Sequence, residues 1–167
     1  MRVEIEIPVK EQTVRDGCQV PVADKGVTWN QSCLGKKAKE MGVYVIHHEG
    51  RIKYVGKTGS PATTFGKRLR SEFQGSAHIH AKLASLASPP PVMVSLFSAA
   101  DIDKLVRASD LRLNIYQAIE IFEAVLIQAY QPDFQRHDEK RTAAYMKKMG
   151  VANPAAMIEA ARKLPGK

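Results

Sequence analysis

Alternating apolar and polar positions are most regular in the first half of the chain, where they predict a β-hairpin. A first strand opens with Gly-Val-Tyr at residues 42–44, and a second strand closes with Tyr-Val-Gly at residues 54–56. His-Glu-Gly-Arg at residues 48–51 supplies the turn, since Gly50 is free to take a positive φ. The remaining elements are expected to assemble around this hairpin.

A short basic helix is predicted to follow the hairpin. Gly-Lys-Thr-Gly at residues 56–59 breaks the second strand, and Ser60 or Thr63 can cap the helix. Apolar residues recur at every fourth position and give the helix one face for burial. That apolar face consists of Phe65, Leu69 and Phe73. The cations that lie off it are Lys67, Arg68 and Arg70.

The remaining periodic segments complete a small mixed fold. Residues 1–9 alternate like a half-buried edge strand, whereas residues 11–41 are irregular. Residues 92–97 are apolar enough to be the most buried strand of the sheet. Helices are predicted at residues 77–86, at 114–130 and in the C-terminal tail, and a helix or loop at 99–108.

These elements predict the fold class and the organisation of the chain. The expected class is α/β (α+β): a small, mainly antiparallel three-stranded central sheet flanked by helices, with an extra N-terminal strand and C-terminal helices. The length of 167 residues suits a single compact domain. Its parts are an N-terminal strand and irregular basic arm (residues 1–41), a core (42–135) and a basic C-terminal helical extension (136–167).

Charge and cysteine content favour a protein with a nucleic-acid partner and argue against a disulfide-rich or zinc-binding protein. Lys and Arg number 25 against 17 Asp and Glu, so the formal net charge is +8, which suits a polyanionic partner such as nucleic acid. The two cysteines form no disulfide framework and match no zinc-ligand spacing. No apolar run is long enough for a signal peptide or a membrane span. A cytoplasmic protein that does not engage a membrane is therefore expected.

Two tyrosines and several cations are candidates for chemistry. Tyr44 and Tyr54 are predicted on neighbouring strands, with Lys57 in the next loop and Arg68 on the next helix, so the four side chains can converge. Cations favour the phenolate and lower the tyrosine pKa, which would make it a general base. The same cations can hold a phosphate. The alternative is that both tyrosines are strand formers packed over a core.

One carboxylate and one tryptophan each leave two interpretations open. Glu123 lies at the edge of the apolar stripe of the longest helix, where its charge must be compensated by a basic partner or by a metal ion. The helix alone does not choose between a structural ion pair and a metal ligand. Trp29 either stacks on a nucleic-acid base or anchors its loop onto the core.

The two tyrosine motifs resemble those of a known family, the GIY-YIG endonucleases. Residues 42–44 resemble the first motif of that family and residues 54–56 the second, and Lys57 with Thr58 resembles the usual continuation. Gly42 and Gly56 are expected to allow a close approach of the backbone.

Two later segments extend this resemblance over residues 42–135. Lys-Arg-Leu at residues 67–69 is similar to the arginine helix of the family; the loop before it is longer here, and Leu69 favours Arg68 over Arg70. Residues 123–127, followed by Pro132, resemble the second conserved block, whose glutamate holds a single divalent metal ion. Gln135 stands near the position at which the family commonly has an asparagine.

The resemblance implies an enzyme, a metal-dependent endodeoxyribonuclease that hydrolyses phosphodiester bonds in double-stranded DNA. Glu123 would hold one Mg²⁺, with Mn²⁺ as a substitute. Tyr44 is expected as the general base and Tyr54 as the residue that positions the water or the phosphate, although the two could exchange roles. Arg68 would bind the scissile phosphate, and Lys57 would lower the tyrosine pKa or assist the leaving group.

The biological setting follows less directly from the resemblance. A type II restriction or phage-type endonuclease is expected, as a homodimer or higher oligomer where both strands are cut. The alternatives are a non-specific DNA-degrading toxin domain and a catalytically inactive nucleic-acid-binding protein. Further contacts to phosphate or DNA are expected from Lys36, Lys37, Lys67, Arg70, Gln135 and Trp29.

Overall fold

The computed structural model describes residues 2–5, 9–13, 19–21, 34–73, 78–84, 92–108, 112–135, 147 and 150. The strands among them are β1 (Arg2–Ile5), β2 (Val9–Thr13), β3 (Gln19–Pro21), β4 (Gly42–His48), β5 (Arg51–Lys57) and β6 (Val92–Ser98). The α-helices are α1 (Phe65–Glu72), α2 (His78–Ala84), α3 (Ala99–Ala108) and α4 (Ile115–Tyr130), and a 3₁₀ helix covers Gly35–Lys39.

An antiparallel sheet forms the centre of the fold. Its strand order is β1-β6-β4-β5, with every neighbouring pair antiparallel. Strands β6, β4 and β5 make up the predicted three-stranded centre, and β1 is the predicted extra N-terminal strand at one edge. The expected α/β class is therefore confirmed, and β5 is the opposite edge of the sheet.

The predicted hairpin is formed by β4 and β5, and its turn has the expected conformation. Glu49 and Gly50 both have positive φ, 49° and 74°, which is the pattern of a tight turn between twisted antiparallel strands. The register pairs Ile46 with Tyr54 and Tyr44 with Gly56. Tyr44 and Tyr54 therefore project from the same face of the sheet, as diagonal neighbours.

Helices cover both faces of this sheet, so the core has two parts. On one face, β4 packs against α1 and α2 through the apolar residues Tyr44, Ile46, Phe65, Leu69, Phe73, Ile79 and Leu83. On the other face, β4 and β5 pack against α3 and α4 through Val43, Val45, Val55, Ile102, Ile119, Phe122 and Val125. The Asn114 side chain caps α4 by accepting from the backbone N–H groups of Tyr116 and Gln117.

Three local expectations were wrong. The most buried strand is β4 rather than β6, because β4 has cores on both of its faces whereas buried and half-buried residues alternate along β6. Helix α1 is capped at Thr64, not at Ser60 or Thr63, and the Thr64 side chain makes no capping hydrogen bond. The N-terminal arm, expected to be irregular, includes the β2–β3 hairpin and the 3₁₀ helix.

Some predictions concern parts of the chain outside the described residues. Trp29 is one of them, and the C-terminal extension is another apart from positions 147 and 150. Across the described ranges, no helix combines the length and the apolar character that crossing a membrane requires.

Candidate active site

The hydroxyl of Tyr44 lies at the centre of a buried polar cluster between β4 and α1. It donates a hydrogen bond to Glu72 Oε1 at 2.8 Å and accepts one from Arg68 Nε at 3.2 Å. Arg68 Nη2 also contacts Glu72 Oε1 at 2.8 Å. The chain therefore brings the predicted Tyr44 and Arg68 into direct contact, and it adds Glu72, which sequence reasoning missed.

Gly56 makes this arrangement possible by leaving space beside both tyrosine rings. The ring centroids of Tyr44 and Tyr54 are 6.0 Å apart. A Cβ atom built on Gly56 would collide with Cζ and Oη of Tyr44 and would lie 2.8 Å from Cε1 of Tyr54. The close backbone approach predicted for Gly56 is present, and the atoms that approach are those of the two phenols.

Gly42, the other predicted motif glycine, is packed against β6. An added Cβ there would collide with the carbonyl oxygen of Phe97 and lie 3.0 Å from the Phe65 ring. Its backbone N–H donates to Thr58 Oγ1 at 2.8 Å, which ties the start of β4 to the end of β5. Gly42 therefore supports the hairpin rather than the polar cluster.

Arg68 lowers the pKa of both tyrosines as expected, but the net shift of each pKa is upward. Burial raises the pKa of Tyr44 well above its usual value, Tyr54 and Glu72 raise it further, and Arg68 lowers it by less. Burial also raises the pKa of Tyr54. Both phenols therefore hold their protons more firmly than a free tyrosine, because a phenolate is poorly solvated inside the protein.

Lys57 engages carboxylates instead of the phenols. Its ammonium lies 3.1 Å from Glu120 Oε1 and 3.2 Å from Glu123 Oε2, and both glutamates belong to α4. Burial alone would lower the pKa of Lys57, but the attraction of Glu123 and Glu120 outweighs it and raises that pKa. The Glu123 side chain is only 12% exposed. The structure contains the ion pair, and the metal-ligand interpretation of Glu123 stays a prediction.

The predicted site residues fall on two faces of the sheet that meet at its edge. Tyr54 shares a face with Tyr44 and α1, whereas Lys57 projects towards α4. Strand β5 is the last strand of the sheet, so only this one strand separates the two groups. Burial has the largest effect on the pKa of Tyr54. The charges of Glu72 and Glu123 raise this pKa further, and the charge of Arg68 lowers it. The Tyr54 phenol is thus within electrostatic reach of both groups.

The segment after α4 runs along the outer edge of β5 and fixes Gln135 there. The backbone N–H of Phe134 donates to the Lys53 carbonyl at 2.9 Å, and the Val55 N–H donates to Gln135 Oε1 at 3.2 Å. Because an edge strand has unpaired backbone groups, this contact covers part of the edge. Gln135 thus has a structural contact at the sheet edge, and its expected contact with phosphate or DNA stays a prediction.

The other predicted phosphate-binding cations lie on α1 and on the 3₁₀ helix, and these two helices pack together. Arg70 and Lys36 are exposed. Lys67 is exposed and its ammonium donates to the Ala62 carbonyl at 3.0 Å, while Lys37 pairs with Glu40 at 2.7 Å. These cations lie on the same elements as Arg68 or next to them, and none of them is part of the buried cluster.

The α4 carboxylates have the chemistry that a hard divalent cation requires. Mg²⁺ is usually held by one or two carboxylates together with several water molecules. Glu120 and Glu123 already share one cation, the Lys57 ammonium, so the donor set fits. Across the described residues, no group of three or more His, Cys, Asp or Glu side chains is placed to hold a metal. A metal here would depend on Glu123, Glu120 and water.

The sequence contains one signal that could have identified Glu72 as a partner of Arg68. It stands four residues after Arg68 on a predicted helix, the spacing of an intrahelical ion pair. Such pairs are common on exposed helix surfaces. Its contact with Tyr44 depends on packing between elements that are distant in the chain, which the pattern does not reveal.

Taken together, these groups offer a guanidinium, two phenols and one carboxylate on one face of the edge strand, and a pair of carboxylates on the other. A guanidinium binds phosphate oxygens through its planar set of donors, and a carboxylate pair attracts cations. The chain matches no known protein-family model, no curated protein and no solved structure.

Proposed function

We propose that this protein is a metal-dependent endonuclease that hydrolyses DNA phosphodiester bonds with chemistry of the GIY-YIG type. The observation that carries the proposal is the contact of Arg68 Nε with the Tyr44 hydroxyl at 3.2 Å, with the Tyr54 ring centroid 6.0 Å from that of Tyr44. Three residues after Tyr54 on the same edge strand, Lys57 contacts Glu123 at 3.2 Å. In the proposal, residues from β4, β5, α1 and α4 act together at the edge of the sheet. A phosphodiester there would meet a cation from α1 and acidic ligands from α4.

In this proposal Arg68 binds the scissile phosphate. Its side chain is 40% exposed, and Nε and Nη2 are engaged by Tyr44 and Glu72. Nη1 carries two further N–H donors that can reach a phosphate oxygen. The inner contacts hold the guanidinium plane, so that stabilisation of negative charge in the transition state needs little rearrangement.

The two tyrosines act on the attacking water. Tyr54 is half-buried, whereas Tyr44 is completely buried. As the resemblance implies, Tyr54 orients the water and Tyr44 receives its proton, although the two could exchange roles. Lys57 stands at the end of β5 beside Glu123 and assists the leaving oxygen.

A divalent metal ion completes the proposal, with Glu123 as its main ligand and Glu120 as a second carboxylate. When bound, Mg²⁺ or Mn²⁺ would offset charge that develops on the phosphoryl group and on the leaving oxygen. The metal ion would compete with the Lys57 ammonium, since the Lys57 contact already uses one oxygen of the Glu123 carboxylate.

The proposed substrate is double-stranded DNA, which the net charge of +8 supports. We propose a type II restriction or phage-type role in the cytoplasm. Cleavage of both strands would then need a homodimer, a higher oligomer or two successive nicks.

Digestion of a supercoiled plasmid tests the function directly. With Mg²⁺ the wild-type protein is expected to nick or linearise the plasmid, and with a chelator it is expected to leave the plasmid intact. Discrete fragments would support a restriction enzyme, and a smear would support a non-specific toxin domain. Intact plasmid under both conditions, together with a gel shift, would contradict the proposal and support a binding protein.

A further inference from the structure

The hydroxyl of Tyr44 can take up a proton only by giving one away. A tyrosine hydroxyl has one donor position and two acceptor positions. Its donor position is used by Glu72 Oε1 at 2.8 Å, and one acceptor position is used by Arg68 Nε at 3.2 Å. One acceptor position remains, and the proton of an attacking water would have to reach it. The direction of the bond to Glu72 defines where the phenolic proton can go.

Burial makes any other route costly. Tyr44 has no exposed surface, and the Glu72 side chain is 8% exposed. A free phenolate at this depth would lack solvation, so Tyr44 does not act as a base that is ionised in advance. If the phenol passes its own proton on as it receives another, no phenolate has to form.

We propose that Glu72 accepts, through Tyr44, the proton that the attacking water releases, an inference that rests on the proposed nuclease function. The O–H bond of the water breaks, its proton bonds to Tyr44 Oη, and the original Tyr44 proton moves to Glu72 Oε1. The water oxygen uses the released electron pair to bond to phosphorus. The bond from phosphorus to the leaving oxygen breaks, and that oxygen takes a proton from solvent. After product release, Glu72 returns its proton by the same route.

Arg68 couples this relay to substrate binding. It is the more exposed of the two partners of the Tyr44 hydroxyl, 40% against 8% for Glu72. A phosphate bound by the outer donors of Arg68 lies next to the Tyr44 hydroxyl, whose remaining acceptor position then takes the attacking water. Glu72 thus acts through Tyr44 as a positioning residue, and it touches neither the phosphate nor the metal.

Two substitutions separate this relay from a purely structural role. Glu72→Gln keeps the shape and can still accept a hydrogen bond, but it cannot take a proton at neutral pH. Glu72→Asp keeps the carboxylate and shortens its reach. The relay predicts that kcat falls by about 100-fold or more in Glu72→Gln, that Glu72→Asp retains more activity, and that neither changes Kd for duplex DNA. A structural role predicts the reverse order, with Gln tolerated better than Asp.

The measurement is single-turnover cleavage of a labelled duplex, with binding measured separately and Glu49→Gln at the exposed turn as the matched control. Wild-type rates in Glu72→Gln would overturn the relay while the nuclease function stands. A wild-type protein that does not cleave DNA at all would overturn both. Should Glu72→Gln fail to fold, Tyr44→Phe replaces it: the relay predicts the same loss of kcat, and full activity in Tyr44→Phe would contradict it.

Discussion

The Lys57 ammonium lies 3.2 Å from Glu123 Oε2, which is the carboxylate proposed to hold the metal ion. The same ammonium lies 3.1 Å from Glu120 Oε1. Without a metal, the chain therefore neutralises this half-buried acidic pair with its own lysine. If a metal ion binds at Glu123 as proposed, it would compete with the Lys57 ammonium for this carboxylate.

Replacing Lys57 by methionine removes this competitor. The affinity for Mn²⁺ should rise by about five- to tenfold, which corresponds to about 1 kcal/mol for a partly exposed ion pair. The free Mn²⁺ signal in electron paramagnetic resonance measures the affinity, and Lys104→Met on the exposed surface of α3 is the matched control. Equal affinities in Lys57→Met and the wild type would show that the metal does not use Glu123.

Gly56→Ala tests the packing of the two phenols. The new methyl group would overlap the end of the Tyr44 ring and approach Tyr54 Cε1 at 2.8 Å, and Tyr44 has no exposed space into which to move. Overpacking of this kind lowers the free energy of unfolding by about 1–3 kcal/mol. Urea denaturation measures it. Gly59→Ala, with no atom within 4 Å of the added Cβ, should have little effect, and equal losses in the two variants would contradict this geometry.

Arg68→Lys tests which arginine acts on the phosphate. An ammonium cannot reproduce the simultaneous contacts of Nε with Tyr44 and Nη2 with Glu72, and it lacks the planar donor set. We expect the cleavage rate to fall by about 100-fold or more, the scale of losing one donor to a developing oxyanion. Arg70→Lys on the exposed side of α1 should retain the wild-type rate. The opposite result would assign the role to Arg70.

Alkaline pH should destabilise the protein through the buried phenols. The pKa of Tyr44 and of Tyr54 is raised in the folded protein, so the unfolded chain releases these protons first, above a pH of about 10. Their contribution to stability is complete below that pH and is lost as the pH rises towards the folded pKa. The free energy of unfolding should fall by about 1.4 kcal/mol per pH unit for each phenol.

The matched comparison for this pH dependence is Tyr44→Phe against Tyr116→Phe, since Tyr116 is 44% exposed. Denaturation is measured between neutral pH and pH values above about 10. The fall of the free energy of unfolding with rising pH should become less steep in Tyr44→Phe and stay unchanged in Tyr116→Phe. Identical slopes in the two variants would show that the Tyr44 phenol does not hold its proton as described.

Signals from residues close together in the sequence were sufficient to predict the β4–β5 hairpin and helix α4. Gly50 marks a turn that needs positive φ, and Asn114 caps a helix whose apolar stripe extends for four turns. These signals depend on residues close in the sequence. The β2–β3 hairpin was missed because the segment around Pro21 has no sustained alternation.

The sequence predicted several residues of the candidate site correctly, but it predicted fewer of the contacts between them. Arg68 and Tyr44 were expected to meet, and they do. The pKa direction was missed because it depends on burial, which is decided by how α1 packs onto β4 and not by the nearby charges. The partner of Glu123 was missed for the same reason: Lys57 reaches α4 only because β5 is an edge strand.

The central claim is that a carboxylate of α4 and a guanidinium of α1 act on one phosphodiester. Cleavage of supercoiled plasmid by Glu123→Gln in Mg²⁺, with duplex binding measured alongside, tests it most directly. We expect Glu123→Gln to bind DNA as the wild type does and to leave the plasmid intact, whereas the wild type cuts it. Cleavage at the wild-type rate by Glu123→Gln would show that this carboxylate takes no part in the reaction.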